Sequence, residues 1–167
     1  MEPQKYKPYL LFIGRLEEKK NTRGLLRAFR ILKEKYTIPH KLILLGKPGT
    51  GCPDFSVPNV HALGWVKDRE GFLDAADLFI FPSFYEGFGI PILEAWKRGV
   101  PVVASDIPVF HEIGKDACVY FDPFSPEDMA EKIFFVLQDA QKREFLREKG
   151  REYLNKFSWD TSAKETW

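Results

Sequence analysis

Two glutamates, Glu86 and Glu94, flank the predicted start of a helix and are separated by seven residues. A buried strand is predicted to end just before them, and Gly87, Gly89 and Pro91 lie between them. Proline is favoured in the first turn of a helix, and the unpaired N–H groups of that turn form an anion site. Carboxylates accept hydrogen bonds from hydroxyls. The segment therefore suits a ligand that carries a diol beside a phosphate, as a nucleotide sugar does.

A purely structural interpretation of this segment stays open. Glu94 would then only complement the positive end of the helix dipole. Gly87 and Gly89 would only form the turn that leads from the strand to the helix.

A second polar segment, 14–21, follows the first predicted strand and brings two cations to its end. Gly14 allows the backbone to turn sharply and to approach a ligand closely. Arg15 offers a planar fork for phosphate oxygens, and Lys20 offers a point charge. The alternative is a solvated turn in which neighbouring charges pair with one another, namely Lys19 and Lys20 with Glu17 and Glu18.

The composition is that of an ordinary globular protein. The 167 residues are 44% hydrophobic and 29% charged, and the net charge of +1 gives no overall field that would attract nucleic acid. No apolar run approaches the roughly 20 residues that cross a bilayer. Cys52 and Cys118 are isolated, which predicts reduced thiols, and neither the scattered histidines nor the acidic residues show the spacing of a metal site.

Short apolar runs alternate with helical patterns along the chain, which predicts an α/β fold. The predicted strands are 9–13, 41–45, 60–63, 78–81, 100–104 and 118–121. The predicted helices are 22–36 with Thr22 as its cap, 69–76, 91–98, 109–113, 126–139, 141–155 and a last one from 160 onward. Strands that are apolar throughout predict a doubly wound, Rossmann-like parallel sheet of about six strands. Ligands bind beyond the carboxyl ends of such strands, where both polar segments lie.

Four motifs, in their order along the chain, resemble those of the retaining GT-B glycosyltransferases of the GT4 type. They are Gly-Arg-Leu-x-x-x-Lys-Asn at 14–21, Leu-Gly-Trp-Val at 63–66, Phe-Pro-Ser-x-x-Glu-Gly-Phe-Gly-x-Pro-x-Leu-Glu-Ala at 81–95, and Gly-Val-Pro-Val-Val-Ala-Ser at 99–105. The spacing of Glu86 and Glu94 matches the E-x7-E signature of these enzymes. The resemblance covers 9–159 and implies one half of a GT-B fold.

The resemblance implies a role for each matching residue. Arg15 and Lys20, beside the Gly14 turn, would hold the diphosphate of the donor and form the catalytic set together with Glu86. Glu94 would bind the ribose hydroxyls. Fixed cations near a leaving diphosphate favour the transition state, because negative charge grows there as the glycosyl–phosphate bond breaks.

Backbone groups would complete the implied substrate site. The backbone of Gly87, Phe88 and Gly89 would contact the donor sugar, and the backbone of Ile90 would contact a phosphate. The backbone of Trp65 and Val66 would contact the base. The resemblance implies neither a metal ion nor a cofactor. The nucleotide sugar, GDP- or UDP-linked, is the donor substrate.

The implied activity is metal-independent transfer of a hexose, with retention, to a polysaccharide or glycolipid acceptor. The sequence Glu-Gly-Phe-Gly-Ile-Pro with Leu-Glu-Ala-Trp resembles mannosyltransferases that build cell-surface polysaccharide, so GDP-mannose is the first hypothesis for the donor. UDP-glucose and UDP-N-acetylglucosamine are the nearest alternatives. A nucleotide-sugar-binding module without catalysis, and a GT-B epimerase or phosphorylase, also stay open.

The resemblance further implies a partner domain. Residues 1–167 would be the donor-binding C-terminal half, and the N-terminal acceptor half is absent from this chain. We expect weak transfer, or none, by this half alone, because acceptor positioning and water exclusion need the other half. We expect a cytoplasmic protein with no nucleic-acid partner. Any contact with the inner face of the cell membrane would be peripheral, and the absent half would make it.

Three other patterns receive structural interpretations. The glycine-rich segment 46–51 departs from P-loop spacing and is predicted to be a surface loop. The side chains of Arg23, Arg27 and Arg30 are predicted to form the solvated face of the first helix. His111 is assigned a structural role, since the motifs of the resembling enzymes include no catalytic histidine at this position.

Overall fold

A computed structural model describes residues 2–156 as a parallel sheet of six strands with helices packed on it. The strands are β1 (Tyr9–Ile13), β2 (Lys41–Leu45), β3 (Val60–Gly64), β4 (Leu78–Phe81), β5 (Val102–Ser105) and β6 (Cys118–Phe121). The helices are α1 (Thr22–Glu34), α2 (Arg69–Ala75), α3 (Ile90–Lys97), α4 (Pro108–Gly114), α5 (Pro126–Gln138) and α6 (Ala140–Leu154). Short 3₁₀ turns lie at Pro3–Tyr6, Glu18–Lys20 and Lys115–Ala117.

The strand order is β3-β2-β1-β4-β5-β6, so β1 lies in the middle and the chain builds outward from it on both sides. Leu10 of β1 lies opposite Leu42 of β2 and Leu78 of β4. A reversal of strand order of this kind opens a crevice at the carboxyl ends of the central strands. The predicted doubly wound parallel sheet is confirmed.

Burial explains why these runs form strands. All residues of β1, β4 and β5 are buried. Since successive side chains of a strand point to opposite faces, both faces of the sheet must be covered. Helix α1 packs against α5, and α3 packs against α6. Just after α1, the ring of Tyr36 stacks on that of Phe134 in α5 with centroids 4.1 Å apart.

Several predicted boundaries are wrong by a few residues. The first helix ends at Glu34, and the fifth strand begins at Val102, because Pro101 has no N–H for a strand ladder. The arginines of α1 are exposed, as predicted. The helix predicted from residue 160 onward lies outside the described residues. Among residues 2–156, no helix has the length and apolar character to cross a membrane.

The prediction that Thr22 caps the first helix is wrong, because Asn21 is the cap. Asn21 has φ 52° and ψ 36°, a left-handed conformation that asparagine tolerates better than most residues. Its Oδ1 accepts from the Gly24 N–H at 3.2 Å, and its Nδ2 donates to the Pro123 carbonyl at 2.7 Å. The buried Asn21 therefore ties the loop after β1 to the loop after β6.

We predict that Asn21→Ala lowers the free energy of unfolding by about 3 kcal/mol, because it removes a cap and a buried hydrogen bond and leaves alanine in a left-handed conformation. Asn21→Gly should lose about 1 kcal/mol less, since glycine adopts this φ without steric cost. Urea unfolding followed by circular dichroism measures both. Asn155→Ala, at an exposed helix end, is the control and should change stability by less than about 0.5 kcal/mol. A larger loss for the glycine variant than for the alanine variant would contradict the role of the backbone.

Candidate active site

A cavity of about 460 Å³ opens at the carboxyl ends of β1, β2 and β3. Three loops and the start of α3 form its walls. The residues that line it include Gly14, Arg15, Gly46, Trp65, Val66 and Pro91. Four of these six residues belong to the motifs at 14–21 and 63–66. The sheet thus brings together segments that are about 50 residues apart in the sequence, because parallel strands all end at the same edge.

Lys20 and Glu86, in the loops after β1 and β4, are in direct contact. The Lys20 ammonium pairs with Oε1 of Glu86, which also accepts from the buried Ser83 hydroxyl at 2.7 Å. The two charged side chains are only 16% and 15% exposed. Lys20 Nζ also lies 5.7 Å from the centroid of the Phe81 ring, at the end of β4.

This contact excludes the interpretation in which Lys20 pairs within its own loop. The alternative in which Lys20 pairs with Glu17 or Glu18 is wrong, whereas Lys19 does pair with Glu17 at 3.2 Å. Removing two charges from water costs free energy that their mutual attraction often does not recover. A largely buried pair at the carboxyl edge of a parallel sheet is therefore more typical of a binding site than of a device for stability.

Arg15 lies on the wall of the cavity with 70% of its side chain exposed. Its Nε is 3.7 Å from Oε2 of Glu17, a separation at which an exposed pair contributes little. The Arg15 side chain thus remains able to change rotamer toward a ligand in the cavity.

Glu94 points to a partner that the sequence analysis did not single out. Its Oε2 accepts from Nη2 of Arg69 at 2.7 Å, whereas Glu86 contacts Lys20 and Ser83. The two glutamates therefore contact different cations. The signal for Arg69 was present in the sequence, because a cation in the first turn of a helix opposes the helix dipole.

The turn before α3 follows the predicted pattern. Gly89 precedes the first helical residue, Ile90, and has φ 147°, while Pro91 occupies the first turn. A Cβ on Gly89 would lie 3.2 Å from Ile113 Cδ1. Phe88 and Ile90 are partly exposed, and no side chain would crowd a Cβ on Gly87. The N-terminus of α3 is therefore accessible from the edge of the sheet.

The two residues after β3 differ in exposure. Val66 is buried, whereas Trp65 is 69% exposed, and both line the cavity. His111 lies after β5, where its Nε2 is 2.6 Å from Oδ1 of Asp106 and its ring packs on Tyr120. In the part of the chain that the structure describes, no three histidine, cysteine or acidic side chains cluster as a metal site would require.

The loop after β2 also forms part of the cavity. It lies at the surface, as predicted, but Gly46, Lys47 and Pro48 line one wall, which the sequence analysis missed. The Gly46 N–H donates to the Gly64 carbonyl at 2.8 Å, and the Leu16 N–H donates to the Lys47 carbonyl at 3.0 Å. These bonds join the loops after β1, β2 and β3 into one rim.

The chain is similar to known proteins over most of its length. The family described as "Glycosyl transferases group 1" matches residues 2–153. The chain belongs to this family. It is 36% identical over 168 residues to the O-antigen chain mannosyltransferase B of Escherichia coli, covering 95% of this chain and 44% of that protein. It is 30% identical over 169 residues to the serotype-specific mannosyltransferase WbdA of Escherichia coli, covering 93% of this chain and 20% of that protein.

A solved structure gives the same fold. The C-terminal domain of a glycosyl transferase group 1 family protein, LpcC from Francisella tularensis, superposes with a TM-score of 0.76 at 20% identity and covers 93% of this chain and 92% of that domain. The chain thus has the fold of a GT-B glycosyltransferase domain, as the resemblance implied. It spans less than half the length of the curated relatives that it matches.

We predict that Gly46→Ala lowers the free energy of unfolding by at least about 2 kcal/mol. Gly46 has φ 153°, and a Cβ there would lie 1.8 Å from the Gly14 carbonyl oxygen, so the backbone of the rim would have to move. The matched control is Gly87→Ala, whose Cβ meets no atom within 4 Å and should change stability by less than about 0.5 kcal/mol. Thermal unfolding measures both, and equal melting temperatures for the two variants would contradict the prediction.

Proposed function

We propose that this chain is the donor-binding domain of a metal-independent, retaining glycosyltransferase that takes mannose from GDP-mannose. The contact between Lys20 and Glu86, at the same edge of the sheet as a cavity that the β1 and β3 loops and the start of α3 share, is the observation that carries the proposal. A base, a ribose and a diphosphate have together the size and the mixture of apolar, polar and charged groups that such a cavity accommodates.

Each part of the donor would contact a different part of the proposed site. The base would lie against the backbone of Trp65 and Val66, and the ribose hydroxyls would donate to Glu94. The diphosphate would lie between Arg15, Lys20 and the N-terminus of α3, where the Ile90 amide donates. Glu86 and the backbone of 87–89 would contact the sugar.

The chemistry follows from where charge develops. The bond between C1 of the sugar and the diphosphate oxygen breaks, and its electron pair leaves with the nucleoside diphosphate. The acceptor hydroxyl oxygen bonds to C1 on the same face and gives its proton to the departing diphosphate. The positive charges of Arg15 and Lys20 would stabilise the negative charge that grows on the diphosphate, which lowers the barrier.

The acceptor would bind between this chain and a further domain of a longer protein. The greater length of two relatives supports this proposal, because the chain covers only 44% and 43% of them. Tyr85 and Phe124 are exposed by 65% and 78%, and the Phe124 ring stacks on that of Phe84, next to Tyr85, with centroids 5.0 Å apart. Apolar groups exposed together mark an interaction surface. Without that domain, we propose that the chain binds the donor but transfers sugar weakly or not at all.

Mannose is supported by the names of two relatives, which are both mannosyltransferases. We predict that the chain binds GDP at least about tenfold more tightly than UDP or ADP, because a base-binding loop discriminates through hydrogen bonds to the base edges. Isothermal titration calorimetry with the three diphosphates measures this. A preference for UDP would reject GDP-mannose in favour of UDP-glucose or UDP-N-acetylglucosamine, and no binding of any of them would reject the proposed function.

A pair of adjacent lysines provides a sharper test of the diphosphate site. We predict that Lys20→Gln weakens GDP binding about 10- to 100-fold, since a charged hydrogen bond to phosphate contributes about 1.5–3 kcal/mol. The affinity for guanosine should stay unchanged. Lys19→Gln removes the same charge one residue away, where the lysine pairs with Glu17, and should weaken GDP binding less than about threefold. Calorimetry measures both, and equal effects of the two variants would show that Lys20 does not contact the diphosphate.

A further inference from the structure

The contact between Arg69 and Glu94 joins α2 to the first turns of α3. Nη2 of Arg69 donates to Oε2 of Glu94 at 2.7 Å, and the two side chains are 42% and 37% exposed. Within residues 2–156, no hydrogen bond from another residue reaches Oε1 of Glu94. The carboxylate is therefore held through one oxygen, and its second oxygen is available to accept.

Arg69 is fixed in place by the helix that begins with it. Asp68 caps α2 by accepting from the Gly71 N–H at 2.9 Å, and Phe72 and Leu73 anchor the helix in the core. An arginine at this position opposes the dipole of α2, so the helix itself gains nothing from it. The reason for the cation has to come from what it contacts.

The surroundings of Arg69 connect it to the cavity. Its side chain lines the cavity together with Trp65, Val66 and Pro91, and its buried Nε has no hydrogen-bond partner among the described residues. The neighbouring cation, Arg98, pairs instead with Glu70 and Asp74. Arg69 is thus the cation that contacts the Glu94 carboxylate.

We infer that Arg69 is a positioning residue that holds the Glu94 carboxylate for the ribose of the donor. This inference rests on the proposed function. A charge-assisted hydrogen bond from an arginine restricts the orientation of a carboxylate, and an oriented carboxylate loses less freedom when it binds hydroxyls. The entry of the base into the cavity also removes water from the pair, which strengthens the attraction between the two charges. Ribose binding and the ion pair therefore support each other.

The inference predicts that the effect of Arg69 appears only when the ligand has ribose hydroxyls. The test measures binding of GDP and of 2′,3′-dideoxy-GDP to the chain by calorimetry, with UDP and 2′,3′-dideoxy-UDP in parallel so that the base identity does not matter. We expect Arg69→Gln to weaken the ribonucleotide about tenfold and the dideoxynucleotide less than about twofold. Arg69→Lys, which keeps the charge but not the fork, should give an intermediate loss.

Two further variants separate this inference from the proposed function. Arg98→Gln is the matched control, because it removes a nearby guanidinium that pairs with Glu70 and Asp74, and it should leave both affinities unchanged. Glu94→Gln tests the ribose contact itself.

If Glu94→Gln weakens ribonucleotide binding and Arg69→Gln does not, the role of Arg69 is rejected while the donor site stands. If Arg69→Gln weakens both nucleotides equally, it acts on the base or the phosphates and the inference is rejected. If the original chain does not distinguish the ribonucleotide from the dideoxynucleotide, the inference and the assignment of Glu94 fail together.

Discussion

The parallel pairing of β1 with both β2 and β4 is the constraint on which the rest of the molecule depends. It places β1 at the centre of a sheet that is buried on both faces, and the strand order reverses there. Because every strand runs in the same direction, the loops that carry Arg15, Trp65 and Glu86 all leave from one edge. A site made of segments that are distant in the sequence then requires no further device to bring them together.

At that edge, charged pairs rather than apolar contacts organise the site. Lys20 with Glu86 and Arg69 with Glu94 each link a residue at the start or end of one element to a residue near α3. Neither pair is fully exposed, so each is screened less by solvent than an ordinary surface pair. Of these four residues, Arg69 lines the cavity itself. The tie that Asn21 makes to Pro123 supports this arrangement, because it fixes the loop that ends at Lys20.

Much of the fold could be predicted because the signals were local. Buried strands such as Leu78–Phe81 are apolar throughout, and the strand, turn and helix at 78–97 followed from their residue types. The cap of α1 could not be predicted in this way, since the choice of Asn21 over Thr22 depends on a carbonyl at position 123, about 100 residues away. Arg69 has a local signal, a cation in the first turn of a helix, but its partner Glu94 belongs to another helix and could not be predicted from that signal. The loop at 46–48 was assigned to the surface correctly, but its place in the rim depends on bonds to the β1 and β3 loops.

The order of elements, the parallel sheet and the family were determined by the sequence alone, because hydrophobic periodicity, glycine and proline at turns, and motif spacing are properties of short segments. The choice of partner for each charge was decided only by the tertiary structure. Lys20 had acidic neighbours in its own loop and contacts Glu86 instead, while Glu94 is paired across helices with Arg69. The strength of electrostatic attraction depends on the distance between two charges in space. That distance is fixed only when the sheet has brought the loops together.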